Sequence, residues 1–158
     1  MEVEVNAKSI TPILLLATLT LLFAAERTVI KQVKADGTLK ISWCCGIKMA
    51  GVTLPGSQVQ DGWFEYFSTE SVEALKELVE GKEITIDYIT GGWFAERGRA
   101  YVYVDTIFVN AYLLREGYAY WDKKTNHRLA EEFADYERSA KKLRKGLWIS
   151  PLSMDDSP

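Results

Sequence analysis

The chain has 158 residues, 47% hydrophobic and 26% charged, which suits one globular domain with a proper core and excludes a disordered or fibrous chain. A net charge of -3 and a sequence pI of about 5.3 exclude a surface that attracts polyanions everywhere, so any nucleic-acid site has to be a local basic patch. With two adjacent cysteines, Cys44 and Cys45, and one histidine, His127, disulfide scaffolds and polyhistidine zinc sites are excluded too, and His127 reads as a solvated loop residue.

Residues 10–25 carry no charge and hold the most apolar run in the chain, from Ile13 to Ala25. That length is nearer a signal-peptide core than a full membrane span, and the expectation is a signal peptide or membrane anchor, hence an exported or membrane-anchored protein. Glu2 and Glu4 weaken the usual positive flank, and the alternative is a helix packed on the domain of a cytoplasmic protein. The organisation that follows is residues 1–25 as the apolar segment, 26–149 as the domain, and 150–158 as a polar tail.

Residues 28–33 alternate β-branched and polar types, meet the turn dipeptide Asp36-Gly37, and return through residues 38–43 as a hairpin. Residues 47–52 make a third strand, stopped by Pro55 and Gly56, and residues 57–68 read as loop. Ser68 or Thr69 caps a helix with Val72, Leu75, Leu78 and Val79 on one face, and Gly81 closes it. Residues 82–89 alternate again, Gly91-Gly92 breaks them, and residues 99–104 return as a strand leading into residues 107–109. Asn110 opens a short helix that Gly117 ends, and Asn126 opens a long one to Leu143. This order predicts an α+β fold, mainly β: a five-stranded OB-fold-like barrel with about three helices.

The stretch from Arg97 to Ala119 closely resembles the staphylococcal nuclease (thermonuclease) family. Arg97, Ala100-Tyr101, Asp105, Val109-Asn110, Leu113, Gly117 and Ala119 carry the resemblance without a gap. Pro55, Gly81-Lys82 and the closing Gly146-Leu147-Trp148 extend it more loosely, so that it runs over residues 28–149. It implies a calcium-dependent hydrolase of DNA and RNA phosphodiesters, in which carboxylates hold the metal, a glutamate places the water, and two arginines stabilise the phosphoryl charge.

Carried over residue by residue, that machinery is incomplete. Of the two arginine positions, Arg97 keeps its type and the other is Lys48, which lacks the planar fork that grips phosphate. The metal carboxylate positions fall on Gly37 and Thr53, and the water-placing glutamate on Gly56. Asp36 is a weak metal candidate, one residue out of register and expected to point elsewhere. The resemblance therefore implies an SNase-like domain without nuclease activity and without a cofactor, acting as a binding or scaffold module for a protein or single-stranded nucleic acid. The alternative is a calcium-dependent endonuclease in which Asp61, Glu65 or Glu70 replaces the lost ligands.

Lys48 and Arg97, the Lys123-Lys124-Arg128 group, and Lys141-Lys142-Arg144-Lys145 are the basic candidates for nucleic acid, but the last run reads as a solvated helix end facing Glu131, Glu132, Asp135 and Glu137. Tyr101, Tyr103, Tyr118 and Trp148 read as core or rim packing. Trp63-Phe64 and Trp93-Phe94 fall in loops flanking the cleft and are the candidate binding surface for a partner.

Overall fold

A computed structural model describes residues 26–42, 45–56, 67–90, 98–125 and 127–149. The sheet runs through β1 (Glu26–Val29), β2 (Gln32–Val33), β3 (Leu39–Lys40), β4 (Gly46–Met49), β6 (Glu83–Thr90) and β7 (Arg99–Val104) in the order β1-β6-β7-β4-β3-β2. The pairings are antiparallel except β4 with β7, which is parallel. A short β8 (Ile107–Phe108) folds back on β7, while β5 (Val52–Thr53) pairs separately with β9 (Tyr120–Trp121).

Only Ile30 and Lys31 separate β1 from β2. The Ile30 amide donates to Lys82 O at 3.3 Å on the β6 side, and the Lys31 amide to Lys40 O at 2.8 Å on the β3 side. The expected first strand is thus one stretch whose two edges face the two ends of the strand order. The sheet curls round until it returns to its starting strand, the arrangement expected of an OB-like fold.

Ile30, Leu39, Ile47, Met49, Ile84, Ile86, Ala100 and Val102 fill the inside of this sheet, as the alternation of their strands dictates. Helices α1 (Ser68–Val79), α2 (Val109–Arg115) and α3 (Ala130–Lys142) cover it through Leu75 and Val79, Leu113 and Leu114, and Phe133. Trp148, on a 3-10 turn (Gly146–Ile149), is fully buried with Tyr120, Ala140 and Leu147. Asn110 ties helix to sheet: its side-chain nitrogen donates to Ala50 O at 2.9 Å and Ala100 O at 3.2 Å, and its oxygen accepts from the Val102 amide at 2.9 Å.

Four local expectations change. Neither Ser68 nor Thr69 caps α1; the cap position is Phe67 in a left-handed backbone, φ 66°, with no side-chain cap bond. Helix α2 opens one residue early, at Val109, because Asn110 turns inward to those backbone groups. Helix α3 opens at Ala130, not Asn126, since Asp122 folds the preceding chain into a turn, accepting from the Lys124 amide at 3.0 Å and the Thr125 hydroxyl at 2.6 Å. The third strand divides at Gly51, φ 66°, into β4 and β5.

His127 is the largest correction: it is 9% exposed, and its Nδ1 lies 3.0 Å from the Tyr101 hydroxyl among Tyr101 and Phe133 rings. Residues 10–25 lie outside the described residues, among which no helix is long and apolar enough to cross a membrane.

Candidate functional site

The hairpin turn, the β4–β5 bend and the start of β7 converge on a small polar cleft of about 100 Å³. Asp36, Lys48, Thr53, Arg99 and Asp122 line it together with Gly37, Met49, Val52 and Leu54. Gly37 sits at φ 75°, a conformation that favours glycine, and a Cβ there would stand 2.9 Å from Leu54 Cδ1, so the turn is built to lie close against the cleft floor.

Asp36 does not point elsewhere. Its Oδ1 accepts from the Thr38 amide at 3.0 Å and its Oδ2 from the Thr38 hydroxyl at 2.9 Å, which aims the carboxylate at Lys48 Nζ, 3.7 Å away. Burial pushes the Asp36 carboxyl up, but the Thr38 bonds and the Lys48 and Lys34 charges outweigh it and hold it below the usual range. Lys48 is paired in register with Arg99 across the parallel β4–β7 ladder, which places two cations side by side at the cleft.

Arg99 in turn binds Asp122, Nη1 to Oδ2 at 3.0 Å. The Asp122 side chain is only 11% exposed. Burial raises its pKa, yet the Thr125 hydroxyl, the Lys124 amide and Arg99 together bring it below the usual carboxylate value. The cleft therefore holds two cations and two carboxylates, each cation with its own acid. A phosphate entering it has to compete with Asp36 and Asp122 for both positive groups.

A calcium ion seeks six to eight oxygen ligands, several of them carboxylates. Among the described residues no group of three or more His, Cys, Asp or Glu gathers to hold a metal ion, and both cleft carboxylates are already committed to Thr38, Thr125, Lys48 and Arg99. The described residues do not fit calcium.

Of the site residues read from sequence, Lys48 and Asp36 meet in the cleft, whereas Arg97, Trp63, Phe64, Trp93 and Phe94, together with Asp61 and Glu65, lie outside the described residues. Glu70 is exposed in the first turn of α1 and does not line the cleft. Three of the seven wider basic candidates are paired with acids: Arg128 binds Asp87, Lys141 binds Glu137 at 3.2 Å, and Lys145 binds Glu116 at 2.8 Å. Arg99 and Asp122 were not legible as site residues. The Asp122-to-Thr125 turn spacing was the available signal for the acid, and Arg99 needed the β4–β7 register.

The ring of strands with helices α1 to α3 around it, and a polar cleft of paired charges at the β2–β3 turn and β4–β7 edge, define an SNase-like domain. The staphylococcal nuclease homologue family matches residues 46–150 of the chain, and the chain belongs to that family. Two rice proteins (Oryza sativa subsp. japonica) are similar over 104 residues, or 66% of this chain: one called "Probable staphylococcal-like nuclease CAN3", 33% identical, and one called "Probable staphylococcal-like nuclease CAN2", 32% identical. The chain spans about a quarter of the length of each, 25% and 26%.

Proposed function

We propose that this SNase-like domain has no nuclease activity and serves as a binding or scaffold module with a protein as its partner. The observation that carries the reading is the pairing of both cleft cations, Lys48 with Asp36 and Arg99 with Asp122, at a site where Gly37, Thr53 and Gly56 stand at the positions that the family resemblance gives to metal carboxylates and the water-placing glutamate. Phosphoryl transfer needs fixed positive charge free to meet the developing anion, and removing one such group commonly costs about 100-fold to 1000-fold in rate. The net charge of -3 favours a protein over a polyanion as partner. The apolar run at residues 10–25 supports export or membrane anchoring of the module.

A second reading, a calcium-dependent endonuclease in which Asp61, Glu65 or Glu70 replaces the lost ligands, is favoured by the names of the rice relatives. The deciding experiment incubates the full chain with single-stranded DNA and with RNA, in calcium or in chelator, beside Arg97→Ala. No cleavage in either condition is expected. Calcium-dependent cleavage that disappears in Arg97→Ala overturns the non-catalytic reading in favour of the second.

A further inference from the structure

Away from the cleft, where α1 meets α2, three aromatic rings lie nearly parallel. Phe67 stacks on Tyr118 with centroids 5.8 Å apart and 23° between the planes, and Tyr118 on Tyr112 at 6.4 Å and 13°. Tyr112 is exposed, and Tyr118 and Phe67 are half-buried, so the row offers a shallow aromatic platform from the start of α1 at Phe67 to Tyr112 on α2. Phe67 takes its place in the row by adopting a left-handed backbone that bulky residues rarely adopt.

Beside this platform runs a stripe of acid. Glu70, Glu73 and Glu77 are exposed and follow one another at helical spacings of three and four, which sets them on one face of α1. None of the three has an ion pair among the described residues. Phe67 precedes Glu70 at the helix start, where stripe and row begin together; the Tyr112 phenol is pushed up first by burial and then by Tyr118, Glu116 and Glu77, with Lys145 opposing. Glu116 is held by Lys145 through both carboxylate oxygens, at 2.8 and 2.9 Å, which leaves the α1 acids as the open charges.

We propose that this face binds a proline-rich segment of a partner protein that carries arginine or lysine, its prolines laid on Phe67, Tyr118 and Tyr112 and its cation on Glu73 and Glu77. A polyproline II segment loses little freedom on binding and packs its rings on flat aromatic surfaces. At ~3.1 Å per residue, the ring row accommodates about four of its residues. Single-stranded nucleic acid also stacks on aromatic rings, but its phosphates meet repulsion from the α1 stripe, and charge complementarity therefore selects the basic peptide. The inference names a partner class for the binding module, and it holds whether or not the cleft cleaves nucleic acid.

The test is calorimetric titration of the full chain with a synthetic proline-rich peptide bearing arginine at every fourth position, with its glutamate-for-arginine and alanine-for-proline analogues, and with oligothymidylate. The arginine peptide is expected to bind at least about tenfold more tightly than either analogue. Tyr112→Ala, and separately the pair Glu73→Lys with Glu77→Lys, are each expected to weaken it by about tenfold or more, and the melting temperature should hold for the glutamate pair, whose side chains are exposed. No binding of the arginine peptide, unchanged binding by both variants, or tighter binding of oligothymidylate each overturns the proposal. A failure here is read in heat of binding and a failure of the non-catalytic reading in cleavage, so the two stay separate.

Discussion

Replacing Gly51 by alanine should be among the most damaging single-methyl changes in the domain, and its cost can be worked from two sources. Gly51 sits at φ 66°, where an L side chain crowds its own backbone at ~1–2 kcal/mol. A Cβ there would overlap His127 Nε2 and stand 2.7 Å from its Cε1 and 2.9 Å from Phe133 Cδ2. Both neighbours are buried, and forcing extra volume into a packed core costs ~1–3 kcal/mol. Together these give a destabilisation of ~2–5 kcal/mol, a large fraction of the ~5–15 kcal/mol by which domains are stable. Urea unfolding of the full chain, followed by tryptophan fluorescence to which the fully buried Trp148 contributes, should show a lower midpoint at an unchanged slope. The double variant Gly51→Ala/His127→Ala separates the sources, because removing the imidazole relieves the overlap with His127 and leaves the backbone cost and the Phe133 contact. A coupling of ~1–3 kcal/mol is expected between the two positions. A loss below ~0.5 kcal/mol for Gly51→Ala, or strict additivity in the double variant, would refute the packing of His127 against the β4–β5 bend.

Burial lowers the His127 pKa below 6.5, with Asp122 opposing, so the unfolded chain binds its proton first. Stability contributed by neutral His127 should be complete above pH 6.5 and be lost as pH falls below it. His127→Gln should flatten that slope in urea titrations, and an unchanged slope would exclude His127 as its source. At the alkaline end, burial first, then Glu26 and Cys45, push the Tyr88 phenol up to about 12, so its contribution should hold below pH 10 and fade as pH rises toward 12; Tyr88→Phe should remove this loss. Asn110→Ala strands the Val102 amide and takes one donor each from the Ala50 and Ala100 carbonyls, for a loss of about 3 kcal/mol or more; a change under ~1 kcal/mol would show that the helix-to-sheet tie is dispensable. Asp122→Asn frees the Arg99 guanidinium in the cleft and should tighten binding of oligothymidylate about threefold to tenfold at low salt, with a steeper salt dependence; an unchanged affinity would show that Asp122 does not mask the cation.

The stretch from Arg99 to Leu113 was legible because its signals are local. Strand alternation in Arg-Ala-Tyr-Val-Tyr-Val set β7 at the residues observed, Asp105 took the positive φ of the turn at 50°, and Asn110 marked the start of α2 to within one residue. Gly81 closing α1 at φ 74° followed from the same kind of reasoning, since only a residue without Cβ takes that conformation cheaply. Strand β9 escaped notice because a two-residue strand has no period to detect, and it exists only through β5. Period-two alternation gives Asp36 the wrong direction because it describes strands, whereas Asp36 lies in a turn whose Thr38 bonds decide where the carboxylate points.

The linear order of residues determined the family, the mainly β architecture and the identity of the groups at the family positions, since hydrophobic period, turn chemistry and contiguous motifs are properties of neighbours in the chain. Tertiary structure alone decided that Arg99 meets Asp122, 23 residues on, and that His127 is buried against Tyr101, 26 residues back. Those contacts depend on which surfaces the closing sheet brings face to face. A charge or an imidazole carries no local mark of whether its eventual neighbour is water, an acid or a ring, so the cleft's neutrality and the histidine's burial emerge only once the strands have curled into place.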